Sequence, residues 1–187
     1  MTLPRGFKAQ AERHALEFRQ QLAAPKLTPI DLEGLAALLN AQVISGESLV
    51  SIERFQEIER LQVGAFSAAT FVINGTNFIV TNPLNSEARR RSDIAHELSH
   101  LILKHELSEI REVEGVPFRS CKPEEEEQAS ALGATILLPT PVLKSLVFSG
   151  IKTAEKIAES QNVSVEMARY RLHTSGVFNI TKSRNAV

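Results

Sequence analysis

The hexapeptide AHELSH, residues 95–100, constrains this chain more than any other stretch. It sets His96 and His100 four positions apart, with Glu97 directly after the first. On an α-helix, positions i and i+4 share one face, with Cβ atoms about 5–6 Å apart. Two imidazoles so placed converge on one ion at roughly 2.0–2.1 Å from nitrogen to zinc. Glu97 lies about 100° further round the helix, beside such an ion without being forced to ligate it. A carboxylate there is placed to take a proton from a water whose pKa the metal lowers, while the metal polarises a scissile carbonyl. Two histidines and an acid also fall into this spacing by chance, so the flanking sequence has to decide.

The flanks supply the helix that the pattern requires. Ser86 suits an N-cap, and Ile94, Leu98, Leu101 and Ile102 form an apolar face adjoining the histidines, so a helix is predicted from residue 86 to about 106. Ahead of it, residues 64–82 are rich in β-branched and aromatic residues around Asn74-Gly75, a two-residue hairpin signal. The second strand of that hairpin, NFIVTN, is expected to offer its edge to an extended substrate segment by strand addition. Upstream, Phe7, Ala11, Ala15, Phe18 and Leu22 recur at helical spacing, so residues 7–22 read as an amphipathic helix. IDLEGLAALLN reads as a second helix with Asp31 near its positive end, AQVIS as a short strand and ERFQEIERL as a further helix. Downstream, EIREVEGVPFRSCKP reads as a loop, and EEEEQASALGATILL as a helix closed before Pro139.

A catalytic zinc site takes three protein ligands and keeps a fourth position open. His105 continues the predicted helix, but five residues past His100 it points away from the pair, so it reads as a surface or supporting histidine. Among Glu124 to Glu127, Glu126 lies in one helical row with Ala129, Ser130 and Gly133, all small, and such a row lets two helices approach closely. Glu127, in a row with Ser130, Ala131 and Ala134, is the alternative. The remaining glutamates read as a solvated acidic first turn favoured by the helix dipole. Cys121, five residues before Glu126, reads as an incidental cysteine, although a thiolate there would suit an open zinc position.

These features resemble the ImmA/IrrE family of zinc-dependent metallopeptidases, over nearly the whole chain. The likeness rests on RGFKAQAERHALEFR, on NFIVTNPLNSEARRRSDIAHELSHLIL and on EEQASALGATILLP, which is similar to the family's E-x-x-A-N-x-x-A-x-x-L-L-x-P. Matched backwards from Pro139, the family's ligand glutamate falls on Glu126. The chain departs in HELSH, where many members have HELGH, and in Ser130, where the family has Asn. The resemblance implies an α+β, zincin-like fold, mostly helical with a small antiparallel sheet, over residues 1–140. It implies a gluzincin-like peptidase with Zn2+ on His96, His100 and Glu126, another divalent ion such as Mn2+ also suiting the set, and Glu97 as general base. The implied substrate is an XRE-family transcriptional repressor, whose cleavage switches on a stress, DNA-damage or mobile-element response. The rival reading is a non-proteolytic regulator, an anti-repressor or DNA-binding protein with a vestigial metal site, although such a site has no use for Glu97. A toxin–antitoxin component is a third reading that overlaps the first. Neither an XRE-type domain ahead of the peptidase part nor a sensor-like domain behind it is expected in the chain.

Residues 141–187 are expected to form a helix-turn-helix-like helical tail. Thr153 to Ser160 reads as one helix, Gln161 to Val163 as the turn with Asn162 left-handed, and Ser164 as the cap of a second helix. From residue 140 on, seven Lys and Arg stand against three Glu, a net of +4 in a chain whose total is −1. Arg169 and Arg171 are available for nucleic acid on this reading. A packing or repressor-docking element is nevertheless favoured over a DNA-binding one. One cysteine excludes a disulfide framework, the first residues have no apolar core of signal-peptide type, and prolines cut the longest apolar stretch. A cytoplasmic setting with no membrane partner is expected.

Overall fold

The computed structural model describes residues 3–105, 110–113, 116–119 and 122–177. The fold is α+β and mostly helical, with a small three-stranded mixed sheet. Helix α1 (Phe7–Gln21) is followed by α2 (Leu32–Leu38), strand β1 (Ala41–Ser45) and α3 (Ile52–Leu61). Asp31 caps α2 through its side chain, accepting from the backbone N–H groups of Glu33 and Gly34, so it does more than complement the dipole. Arg19, near the end of α1, turns inward and donates to the carbonyls of Pro25 (2.6 Å) and Thr28 (2.8 Å), which holds the link to α2.

Strands β2 (Ala68–Ile73) and β3 (Thr76–Thr81) form the expected hairpin. Asn74 (φ 50°) and Gly75 (φ 79°) both take positive φ, as a type I′ turn requires. The expectation of an antiparallel sheet holds for this pair, but β1 adds to β3 in parallel, Val43 opposite Ile79, and the strand order is β1-β3-β2. A parallel partner joined through a long crossover leaves no local signal of its direction. The same order corrects the substrate-edge expectation. NFIVTN is the central strand, hydrogen-bonded on both sides, so the edges of the sheet are β1 and β2.

Helix α4 (Glu87–Leu103) carries the AHELSH pattern, and α5 (Pro123–Leu137) packs between α4 and α1. The segment read as a loop contains β4 (Ile110–Val113) paired antiparallel with β5 (Val116–Arg119), with Pro117 opposite Glu112. Proline and glycine read as breakers there, yet an edge strand tolerates proline where its missing N–H would face away from the partner. Cys121 and the tail's Lys182 and Arg184 lie outside the described residues.

Helices α6 (Thr140–Phe148), α7 (Ala154–Gln161) and α8 (Val165–Thr174) complete the chain. Thr153 and Ser164 cap α7 and α8 through their hydroxyls, and Asn162 between them is left-handed (φ 49°). One hydrophobic core joins Leu35, Ile79, Leu98, Leu132 and Ile136 to Leu143, Leu146, Ile157 and Leu172, so it runs across residue 140. The stretch Pro123–Phe148 is long and apolar enough to cross a membrane by length and composition, but its most apolar window is 67% buried inside the protein.

Candidate metal centre

The turn between sheet and helix is built from polar side chains. Asn82 donates to the Phe66 carbonyl (2.8 Å) and accepts from the Leu84 N–H (2.9 Å), and the Ser86 hydroxyl caps α4 on the Arg89 N–H (3.3 Å). One turn further, the buried Asp93 pairs with Arg89 (2.9 Å) and accepts from Asn85 (3.0 Å). Burial pushes the Asp93 carboxyl above its usual range, with Arg89 pulling the other way. This end of α4 is thereby held to the loop that leaves β3.

The close approach of α4 and α5 happens at Gly133. A Cβ there would sit 3.0 Å from the Ala95 carbonyl carbon and oxygen and 3.1 Å from the His96 nitrogen. Ala95 and Ala129 are both fully buried at the same contact. The row of small residues thus lets the two backbones touch, and Glu126, about two turns before Gly133, comes to lie over the histidines. Glu126 Oε2 is 3.1 Å from His96 Nε2, Glu126 Oε1 is 3.5 Å from His100 Nε2, and the two Nε2 atoms are 3.1 Å apart. A tetrahedral ion with bonds of about 2.0–2.1 Å spaces its donors about 3.3 Å apart. The measured spacings fall around that value, and the donor set, two imidazoles and a carboxylate, suits zinc. His96 and Glu126 remain partly exposed (side chains 27% and 37%), so a water or a substrate carbonyl can reach the cluster.

The other edge of each ring is also engaged. His96 Nδ1 is 3.3 Å from the Ser130 hydroxyl, and His100 Nδ1 is 3.1 Å from His105 Nδ1. Both rings therefore turn Nε2 inward. Burial, with His96 adding to it, holds His100 below the ordinary imidazole pKa, against the pull of Glu126 and Glu97. The neutral ring so favoured is the form that binds metal. Glu97 is buried beside the histidines, and its Oε2 accepts a 2.6 Å hydrogen bond from Thr70 Oγ1 on β2.

The structure brings His96, His100 and Glu126 together, with their ligand atoms within 4.8 Å of one another. Glu127 is not in that group, and Glu125 pairs with Lys122 (3.2 Å). Two expectations are corrected. His105 does not point away from the pair, because α4 ends at Leu103 and Lys104 takes a left-handed turn (φ 55°) that swings His105 back onto His100. Arg171 is not available to nucleic acid, because it is buried, bonded to Glu12 (2.8 Å) and to the Leu138 carbonyl (2.9 Å). Thr70 escaped the sequence reading altogether. It lies 27 residues from Glu97, and no local pattern links a strand threonine to a helix that distant.

No curated protein matches this chain by sequence. Residues 54–173, from α3 into α8, match the family described as the IrrE N-terminal-like domain, peptidase family M78. That span holds α4, α5 and the strand that carries Thr70, and the chain belongs to this metallopeptidase-like family.

Proposed function

We propose that this protein is a zinc metalloendopeptidase of zincin-like architecture, working in the cytoplasm, that cuts an XRE-family repressor at one site. The observation that carries the reading is the convergence of His96, His100 and Glu126 at ligand spacing, with Glu97 buried beside them. His96, His100 and Glu126 would hold the ion, which supplies a lowered water pKa and a polarised carbonyl. Glu97 takes the proton of the attacking water and returns it to the leaving amine. Thr70 holds one Glu97 oxygen, leaving the other for that proton.

Substrate docking is assigned to β2. It is the sheet edge nearest the site, since Thr70 on it touches Glu97, and its outer side pairs with no strand among the described residues. An extended peptide adding there gains backbone hydrogen bonds, and the exposed Phe71, Val72 and Ile73 offer apolar contacts. The test is to incubate the zinc-loaded protein with the product of any adjacent repressor gene and look for a single cut by intact-mass measurement. The Glu97→Gln variant should keep its zinc and leave the repressor whole. A zinc-loaded wild-type chain that leaves the repressor whole would overturn the reading, and a Glu97→Gln variant that holds zinc and still cuts would remove Glu97 as the general base.

A further inference from the structure

Helix α4 does not stop where its pattern stops. Lys104 is left-handed, the Lys104 N–H returns to the His100 and Leu101 carbonyls, and the His105 N–H returns to the His100 carbonyl at 3.0 Å. This is a helix terminus of the Schellman type, built without the glycine that usually supplies it. Its consequence for the site is specific. The residue five positions on is folded back over its own helix, and its ring meets the ring of His100 edge to face, with centroids 5.1 Å apart. His105 therefore grips His100 twice, by backbone on the carbonyl and by Nδ1 on Nδ1.

Only one arrangement of protons makes that second contact a hydrogen bond while leaving His100 Nε2 free for the cluster. His100 carries its proton on Nδ1 and donates it, and His105 accepts on an unprotonated Nδ1. His96 has a hydroxyl in the equivalent place, at Ser130. We propose that His105 is a positioning residue: by accepting from His100 Nδ1 it fixes the tautomer and orientation that aim His100 Nε2 at the metal centre. It supplies no ligand atom itself. This deepens the metallopeptidase reading and rests on it for the role of the ion, but the ring pair can be tested without any turnover. Outer hydrogen-bond partners of ligating histidines commonly contribute tenfold to a hundredfold in metal affinity.

The test compares zinc affinity, by competition with a chromophoric chelator, in the wild-type chain and in three variants whose folding is checked by circular dichroism. His105→Phe keeps a ring but removes the acceptor, His105→Asn restores an acceptor near the Nδ1 position, and His14→Asn is a control on α1. The expected result is a loss of about tenfold to a hundredfold in His105→Phe, with His105→Asn and His14→Asn within about threefold of wild type. A folded His105→Phe chain that binds within about twofold of wild type overturns the proposal, as does a folded His105→Asn chain that binds as weakly as the phenylalanine variant. Long-range proton–nitrogen spectra of the metal-free protein give a second, independent reading. His100 should be protonated on Nδ1, and an Nε2-protonated His100 overturns the proposal. Should the wild-type chain take up no zinc, the metallopeptidase reading fails, and these spectra alone decide the ring pair.

Discussion

At the residue scale, the strand side of the site turns on one hydroxyl. Thr70 is buried and donates at 2.6 Å to Glu97, an acceptor that carries charge when ionised. Hydrogen bonds to charged groups contribute about 1.5–3 kcal/mol, so losing this one from the reacting geometry should slow turnover by roughly 10- to 100-fold. Thr70→Val preserves the shape of the side chain and removes the donor, whereas Thr70→Ser keeps it. The expected outcome is a valine variant with normal zinc content and a reduced kcat, and a serine variant close to wild type. A valine variant that turned over normally would reduce Thr70 to a packing residue. None of this was visible in the order of residues. His96, Glu97 and His100 were legible because a helix fixes their relation within five positions. Thr70, His105 and Arg171 were not. Their roles depend on a strand pairing, a left-handed terminus and a distant helix, which local spacing does not encode.

At the scale of elements, the metal centre depends on how closely two helices touch. Gly133 has no slack, since its missing Cβ would press on the main chain of Ala95 and His96, which cannot move aside as a flexible side chain would. Gly133→Ala gains up to about 1 kcal/mol of helix propensity, while overpacking costs about 1–3 kcal/mol. A net loss of roughly 1 kcal/mol in denaturant unfolding is expected, with a weaker hold on zinc because α5 and Glu126 are pushed back from the histidines. Unchanged zinc affinity would show that the helices accommodate the methyl without moving the ligand. The row of small residues beside Glu126 was readable in the sequence, as were α1, the hairpin and the caps at Ser86 and Ser164. Which strand is the sheet edge was not, because β1 reaches β3 from more than 30 residues away, Ala41 opposite Asn77. The β4–β5 ribbon was hidden by Gly115 and Pro117, which read as breakers.

At the scale of the whole molecule, the tail is tied to the body by partly buried polar contacts as well as by the shared core. Glu12 on α1 accepts from the Thr140 N–H and hydroxyl and from Arg171 on α8, and Gln161 on α7 donates to the Leu27 carbonyl (2.8 Å). Burial lowers the Arg171 pKa, with the Glu12 charge opposing that shift; the guanidinium stays charged, and Glu12 offsets the cost of holding that charge in the interior. An arginine committed in this way cannot also read a base edge, and Arg169 on the same helix pairs with Glu155 (3.4 Å). Sequence alone could count these arginines but not say which were spent inward. The contacts predict that tail and body unfold together. The chain has one tyrosine, Tyr170 on α8, and no tryptophan, so its intrinsic fluorescence reports the tail while far-ultraviolet circular dichroism reports all the helices. Denaturant titrations followed by the two signals should share one midpoint, and Glu12→Leu should move both to lower denaturant, since breaking a buried pair commonly costs about 3–5 kcal/mol. A fluorescence transition that precedes the loss of helix would mean that α8 detaches on its own, and that the Glu12–Arg171 pair does not hold it to the metal-bearing core.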